Sequence, residues 1–274
     1  MSYAHRLKQG EKIDLSKIDS SKNGGLTKEE GLARLDKLGA QIGELEELMF
    51  AARQNSLLLV FQGRDTAGKD GAINRVISYV NVQSCRVVNF KVPTEEELAH
   101  DFLWRVHKET PRLGGISIFN RSHYEDVLVV RVHELAPREV WESRYEHINA
   151  FEKLLTDSGT IILKFYLHIS KEEQRERLLA REEKVEKYWK LSAGDWKERT
   201  FWDDYTRAYE DALSRCNTKD APWFIVPADR KWFRDLAVAE ALVEALTPYR
   251  EKWSAALEKI GEAAKAELAG IDKT

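Results

Sequence analysis

The residues Gly63-Arg-Asp-Thr-Ala-Gly-Lys69 follow directly on the apolar run Leu57–Phe61 and precede the helix-compatible stretch Ala72-Ile-Asn-Arg-Val-Ile-Ser-Tyr79. Gly-x-x-x-x-Gly-Lys between a strand and a helix is the layout of a phosphate-binding loop. Glycines let backbone N–H groups turn inward towards phosphate oxygens. The helix N-terminus adds partial positive charge, and Lys69 adds a mobile full charge. The spacing predicts phosphate held by Gly63, Arg64, Asp65, Thr66, Ala67, Gly68, Lys69, Asp70 and Gly71. A glycine-rich turn beside a surface lysine is the plainer alternative, and the strand-loop-helix setting argues against it.

The position after Lys69 is usually Ser or Thr, whose hydroxyl ligates magnesium. Here it is Asp70, and Asp65 lies inside the loop. Two carboxylates among phosphate-binding amides would repel a bare polyanion. They make sense with divalent ions between them and the phosphates. A phosphate-rich substrate carried with magnesium, or manganese in its place, is therefore expected. Asp70 also suits a helix N-terminus through the dipole alone.

Other short apolar runs alternate with longer helical stretches: Arg86–Val92, Ile116–Phe119, Thr160–Ile169 and Trp223–Val226. They lack polar alternation, as strands covered by helices on both faces do. The expected fold is α/β with a parallel sheet. Thr27-Lys-Glu-Glu30 carries the signature of a capping box. Leu32, Leu35, Leu38, Ile42, Leu45 and Leu48 then mark a long amphipathic helix ending near Arg53. Residues 1–54 read as a loosely structured arm followed by that helix. Residues 55–248 read as the core, with a lid over about 171–212, and 249–274 as a C-terminal helix.

With 274 residues, 43% of them hydrophobic, the chain has material for a sizeable core, and a net charge of -3 speaks against a general nucleic-acid coat. Two cysteines, Cys85 and Cys216, make neither a disulfide scaffold nor a metal cage. No secretory signal is visible, and Leu57–Phe61 is far shorter than the roughly 20 residues of a membrane span. A soluble cytoplasmic protein with no membrane or nucleic-acid partner is expected.

The strand Gly115-Ile-Ser-Ile-Phe119 ends in Asn120-Arg-Ser-His-Tyr-Glu-Asp126. In open parallel sheets, ligands bind beyond the carboxyl ends of strands. Arg121 can clamp a phosphate, and Glu125 or Asp126, with Asp65, can hold a metal or its water. Ser122 with Glu125 also fits a helix cap. Arg131 is a candidate for the same cleft or a surface arginine. His123 beside Tyr124 fits a structural role better than a phosphohistidine one.

Ser170-Lys-Glu-Glu173 reads as a second capping box. The helix after it places Arg177, Arg181 and Lys184 on one face, and Lys187 and Lys190 bracket Trp189. The region from Lys171 to Arg199 mixes both signs of charge, so a solvated hairpin is the bland reading. The sharper reading is a lid that closes over a phosphate site and excludes water.

Together these stretches resemble the type-2 polyphosphate kinase family. The resemblance rests on Gly63–Gly71, Phe119–Val127, Ile148-Asn-Ala-Phe-Glu152, Lys187-Tyr-Trp-Lys190 and Pro227-Ala-Asp-Arg-Lys-Trp232. It implies a P-loop kinase-like three-layer α/β/α sandwich, with a five-stranded parallel sheet in order 2-3-1-4-5 and a helical lid. It implies magnesium, and phosphoryl transfer from inorganic polyphosphate to ADP, giving ATP, and to AMP, giving ADP. By position, Asp65, Lys69 and Asp70 match the family's first motif, Arg121 its second and Arg181 its lid arginine. Asn120 stands where many members have Asp, which removes one acidic ligand candidate. The Asn-Arg-Ser-His-Tyr-Glu-Asp version resembles the subgroup that accepts both nucleoside mono- and diphosphates. A homo-oligomer, dimer or tetramer, is also expected, with the amphipathic terminal helix over 249–270 as packing or oligomer surface. The competing readings are an ATP-dependent nucleoside monophosphate kinase and a nucleotide-binding regulatory module without turnover.

Overall fold

The strand Ser56–Gly63 is buried at every position, so it needs cover on both faces. The computed structural model, which describes residues 2–183 and 185–269, supplies that cover with two layers of helices. In chain order the strands are β1 (His5–Arg6), β2 (Ser56–Gly63), β3 (Cys85–Asn89), β4 (Ile116–Asn120), β5 (Thr160–His168) and β6 (Trp223–Pro227). They form one sheet in the order β1-β6-β5-β2-β4-β3. All neighbours pair in parallel except β1 with β6. β2 is flanked by β4 and β5, so the carboxyl ends of three strands converge where the phosphate loop begins.

The expected sheet of five parallel strands is thus corrected to a mixed sheet of six. The added strand comes from the arm. His5–Arg6 is short and polar, without the alternation that marks a strand. Its pairing is set by tertiary context: Leu7 N–H donates to the Trp223 carbonyl at 3.0 Å, and Ala4 and Leu7 are buried. Leu15 is buried too, and Ser20 donates to the Asp229 carboxylate at 2.9 Å. The arm is therefore packed, not loose.

One apolar cluster lies beneath the helices Lys28–Ala52, Lys69–Ile77, Lys231–Leu246 and Arg250–Ala269. The other lies beneath Arg138–Asp157 and Trp202–Arg215. The second half of Trp202–Arg215 belongs to this core, through Ala208, Tyr209, Ala212 and Leu213. The Thr27 capping box is present, with the Thr27 hydroxyl accepting from Glu30 N and the Glu30 carboxylate accepting from Thr27 N. The Ser170 box is only half formed. Its hydroxyl accepts from Glu173 N at 3.1 Å, but Ser170 N–H donates to Asp229 at 2.8 Å and the Glu173 carboxylate turns to Arg177. Among the described residues, no helix is long and apolar enough to cross a membrane.

The C-terminal helix is held by Trp253, which is fully buried and donates from Nε1 to Asn55 Oδ1 at 3.0 Å. Trp253→Ala leaves a cavity and an unpaired amide oxygen. It is expected to destabilise the chain by roughly 3–5 kcal/mol, read as a lower denaturation midpoint in urea.

Candidate active site

The phosphate loop turns where the sequence places it. Gly63 has φ +154°, and Gly68, the residue before the helix Lys69–Ile77, has φ +99°. A Cβ on Gly68 would lie 2.0 Å from Arg234 Nη1, so that guanidinium would have to shift, and the left-handed backbone itself calls for glycine. Thr66 keeps a left-handed φ of +65° despite its branched side chain, and its buried hydroxyl has no partner among the described residues. Ala67 is buried against the core. Lys69 Nζ folds back onto the Gly63 carbonyl at 2.7 Å and the Arg64 carbonyl at 3.3 Å. Burial, then the nearby Arg121, lowers its pKa, while Asp65, Glu125 and Asp70 pull the other way.

Arg64 is an anchor rather than a phosphate ligand in this geometry. Its guanidinium lies 3.7 Å from the centre of the Trp202 ring and donates to the Trp202 carbonyl and the Thr206 hydroxyl. It fastens the loop to the helix that returns from the lid.

The end of β4 meets this loop through Arg121. Its Nη2 lies 2.8 Å from Asp65 and its Nη1 lies 3.7 Å from Glu125. Glu125 chiefly, with Asp65, holds the guanidinium pKa above its ordinary value despite burial. Asn120 donates to Asp70 at 2.9 Å and to Asn89 at 2.8 Å. Glu125 thus serves Arg121 rather than the Ser122 cap; the Ser122 hydroxyl accepts from Tyr124 N.

Two candidates are tied to other helices, although Asp126 still lines the apolar one of the two cavities described below. Arg131 pairs with Asp211 at 2.6 Å and donates to Tyr145 Oη at 3.3 Å; it lines neither cavity described below. Asp126 is held by Arg144 at 3.0 Å. Burial pushes its carboxyl up to about 6, against the pull of Arg144.

Two cavities meet at this seam. One, of about 610 Å³, lies between the phosphate loop, the lid and the start of the helix Lys231–Leu246. Basic side chains outnumber carboxylates on its walls: Lys69, Arg121, Arg177, Arg181, Lys187, Lys190, Lys231 and Arg234 against Asp65, Asp70 and Glu186. The other, of about 1050 Å³, is mostly apolar, with Phe90, Val92, Pro93, Val129, Val130 and Leu135 among its walls. Asp70, Asn120, Arg121 and Trp189 line both.

The lid arginines divide their work. Arg177 donates to the carbonyls of Thr66, Ala67, Ala228 and Asp229 and pairs with Glu173, so it pins the lid to the loop. Arg181 donates to the Lys190 carbonyl and pairs with Asp195. Lys190 lies 3.6 Å from Asp70. Lys184 lies outside the described residues. Lys231 and Arg234 received no role from the sequence. Their signal was there: spaced i, i+3, they share one helix face, Lys231 inside the fragment Pro227–Trp232 and Arg234 two residues beyond it.

Among the described residues, no cluster of three His, Cys, Asp or Glu forms a protein-only metal cage. Asp65 and Glu125 instead face each other across Arg121. That donor set suits magnesium, which is commonly held by one or two carboxylates together with substrate phosphates. Asp126, turned to Arg144, does not join them.

A family model described as polyphosphate kinase 2 matches residues 25–253. The AMP/ADP-polyphosphate phosphotransferase of Meiothermus ruber is 48% identical over 246 residues, 88% of this chain and 91% of that protein. The ADP-polyphosphate phosphotransferase of Rhodopseudomonas palustris is 42% identical over 254 residues, 88% of each chain. The crystal structure of polyphosphate kinase 2 from Arthrobacter aurescens superposes with a TM-score of 0.85 at 40% identity. The match covers 91% of this chain and 93% of that one.

Gly68→Ala places a methyl group against Arg234 in a backbone region that alanine disfavours. Calorimetric titration with tripolyphosphate is expected to show affinity about tenfold weaker than wild type, the factor that corresponds to about 1.4 kcal/mol of extra cost for holding the loop in its phosphate-binding conformation.

Proposed function

The chain belongs to the polyphosphate kinase 2 family, and from that premise we propose that it moves the terminal phosphoryl group of inorganic polyphosphate onto ADP or AMP. The observation that carries this reading is the meeting of a cationic cavity and an apolar one at Arg121, Asp70, Asn120 and Trp189. A polyanion without a base suits the first. A nucleoside, with its apolar face and phosphate tail, suits the second. Their phosphates then converge on Arg121.

In this reading an oxygen of the acceptor phosphate attacks the terminal phosphorus of the donor in line. A new P–O bond forms, the bond to the rest of the chain breaks, and the shortened polyphosphate leaves with the electron pair. ADP becomes ATP and AMP becomes ADP. Little covalent chemistry falls to the protein, so catalysis is positioning and charge stabilisation. Lys69 exchanges its carbonyl partners for donor oxygens. Arg121 spans the migrating group and the acceptor. Arg181 shapes the lid through Asp195 and Lys190, and Lys187 and Lys190 close over the donor. Asp65 and Glu125 would hold magnesium, which neutralises oxygens that otherwise repel each other.

Asp70 stands where an ATP-dependent kinase of this layout carries Ser or Thr, which weighs against ATP as donor. Phosphorus NMR of the chain with magnesium, polyphosphate and ADP, with no ATP added, is expected to show ATP appearing; AMP in place of ADP gives ADP. No product in either mixture would overturn the reading. Lys69→Ala is expected to lose roughly 100- to 1,000-fold in kcat with unchanged circular dichroism. Raising sodium chloride from about 50 to about 200 mM shortens the screening length and is expected to raise the donor KM several-fold while kcat holds.

A further inference from the structure

Among the described residues, the two Lys, Arg, Asp or Glu side chains with the least exposure, Lys164 at 0% and Glu152 at 1%, line neither cavity. Lys164 projects from β5. Its Nζ donates to Glu152 Oε2 at 2.5 Å, to the Cys216 carbonyl at 2.6 Å and to Tyr124 Oη at 2.9 Å. That uses all three ammonium hydrogens. Glu152 Oε1 accepts from the Tyr124 hydroxyl at 2.7 Å and lies 3.2 Å from His123 Nε2. Burial alone would push the Glu152 carboxyl up, but Lys164 and His123 hold it below its ordinary value.

A buried ion pair adds little stability over well-packed apolar side chains, so its presence asks for another account. The loop it touches supplies one. Arg121 has φ +61°, a left-handed conformation that side chains with a β-carbon disfavour. On one side, Arg121 N–H donates to the Phe61 carbonyl at 3.0 Å, and Gln62 donates to the Ser122 hydroxyl at 3.1 Å. On the other side, the next two side chains, His123 and Tyr124, are both fully buried and both end on one oxygen of Glu152. The same ammonium binds the carbonyl of Cys216, the C-terminal cap of the helix that carries Trp202.

We propose that the Glu152–Lys164 pair, acting through His123 and Tyr124, is a positioning device that holds Arg121 in its left-handed conformation where the two cavities meet. Neither residue touches substrate. Their effect reaches the reaction only through the place of the Arg121 guanidinium between Asp65 and Glu125. This rests on the proposed transfer reaction for its assay. Activity of the wild-type chain tests that reaction, and the mutant cycle below tests the positioning.

The test is steady-state kinetics on three changes. Glu152→Leu with Lys164→Met removes both charges together, so no lone buried charge remains. The folded variant is expected to lose at least about tenfold in kcat with both KM values within roughly threefold of wild type, the pattern of an interaction felt in the transition state. In an Arg121→Lys background the same two changes should cost less than about threefold, because coupled sites are not additive. Tyr124→Phe keeps both charges and removes one link. It is expected to lower kcat by about three- to tenfold and decides the matter should the pair variant not fold. Equal kcat losses in the two backgrounds would overturn the proposal. So would kcat within about twofold of wild type in Tyr124→Phe or in the folded pair variant.

Discussion

Arg121, held between Asp65 and Glu125, is the contact around which the site is arranged. Two unit charges 4 Å apart attract by about 4 kcal/mol near a protein surface. The guanidinium is 42% exposed, so solvent discounts that figure. Its importance is less in stability than in what it prevents. Without the cation, two carboxylates would face each other and any incoming phosphate. In the proposed reaction, arrival of a phosphate is an exchange of partners: the guanidinium would turn to the phosphate, and Asp65 and Glu125 would be left to hold a divalent ion. In that reading the divalent ion offsets part of the negative charge that the phosphates bring.

The same economy of charge governs the lid. Arg177 places its guanidinium on four backbone carbonyls and Glu173. It therefore fixes the first half of the helix Lys171–Glu182 to the phosphate loop. Arg181 folds the lid onto itself through Lys190 and Asp195. Among the described residues, the segment Val185–Lys190 pairs with the loop through Lys190 and Asp70 alone, at 3.6 Å. Val185 and Trp189 there are largely exposed. Trp189 in this segment already lines both cavities, so in the proposed reaction this is the part of the lid that would contact a bound donor, while Arg177 holds the base of the lid in place.

What was legible in the sequence was local. The phosphate loop, the Thr27 capping box and the long strands announce themselves within a few neighbouring residues, because backbone geometry and one helical turn decide them. β1 was not legible: two polar residues become a strand only because Trp223 offers an edge. The second capping box failed for a similar reason, since Asp229, nearly sixty residues on, took the Ser170 N–H. Arg131 and Asp126 carried the right chemistry at the right spacing, yet Asp211 and Arg144 claimed them from distant helices. Glu152 and Lys164 lie in an apolar helix face and an apolar strand, where a charge gives no periodic signal. Their meaning appears only once the strand and the helix are side by side.

The arginines at the cationic cavity are largely engaged by the protein itself: Arg121 by two carboxylates, Arg177 by carbonyls, Arg181 by Asp195, Arg234 by Asp235. Lys187 and Lys231 have no ion-pair partner among the described residues. Lysine is a point charge on a flexible stem, whereas arginine is a rigid fork that fixes its partner's orientation. A donor whose units are chemically identical needs no fixed register along its length. It needs orientation only at the unit that reacts. In the proposed reaction the ammonium groups of Lys187 and Lys231 on the cavity wall and one oriented guanidinium at the seam would meet both demands: the donor could shift by one unit after each transfer, while Arg121 would continue to define where the bond is made.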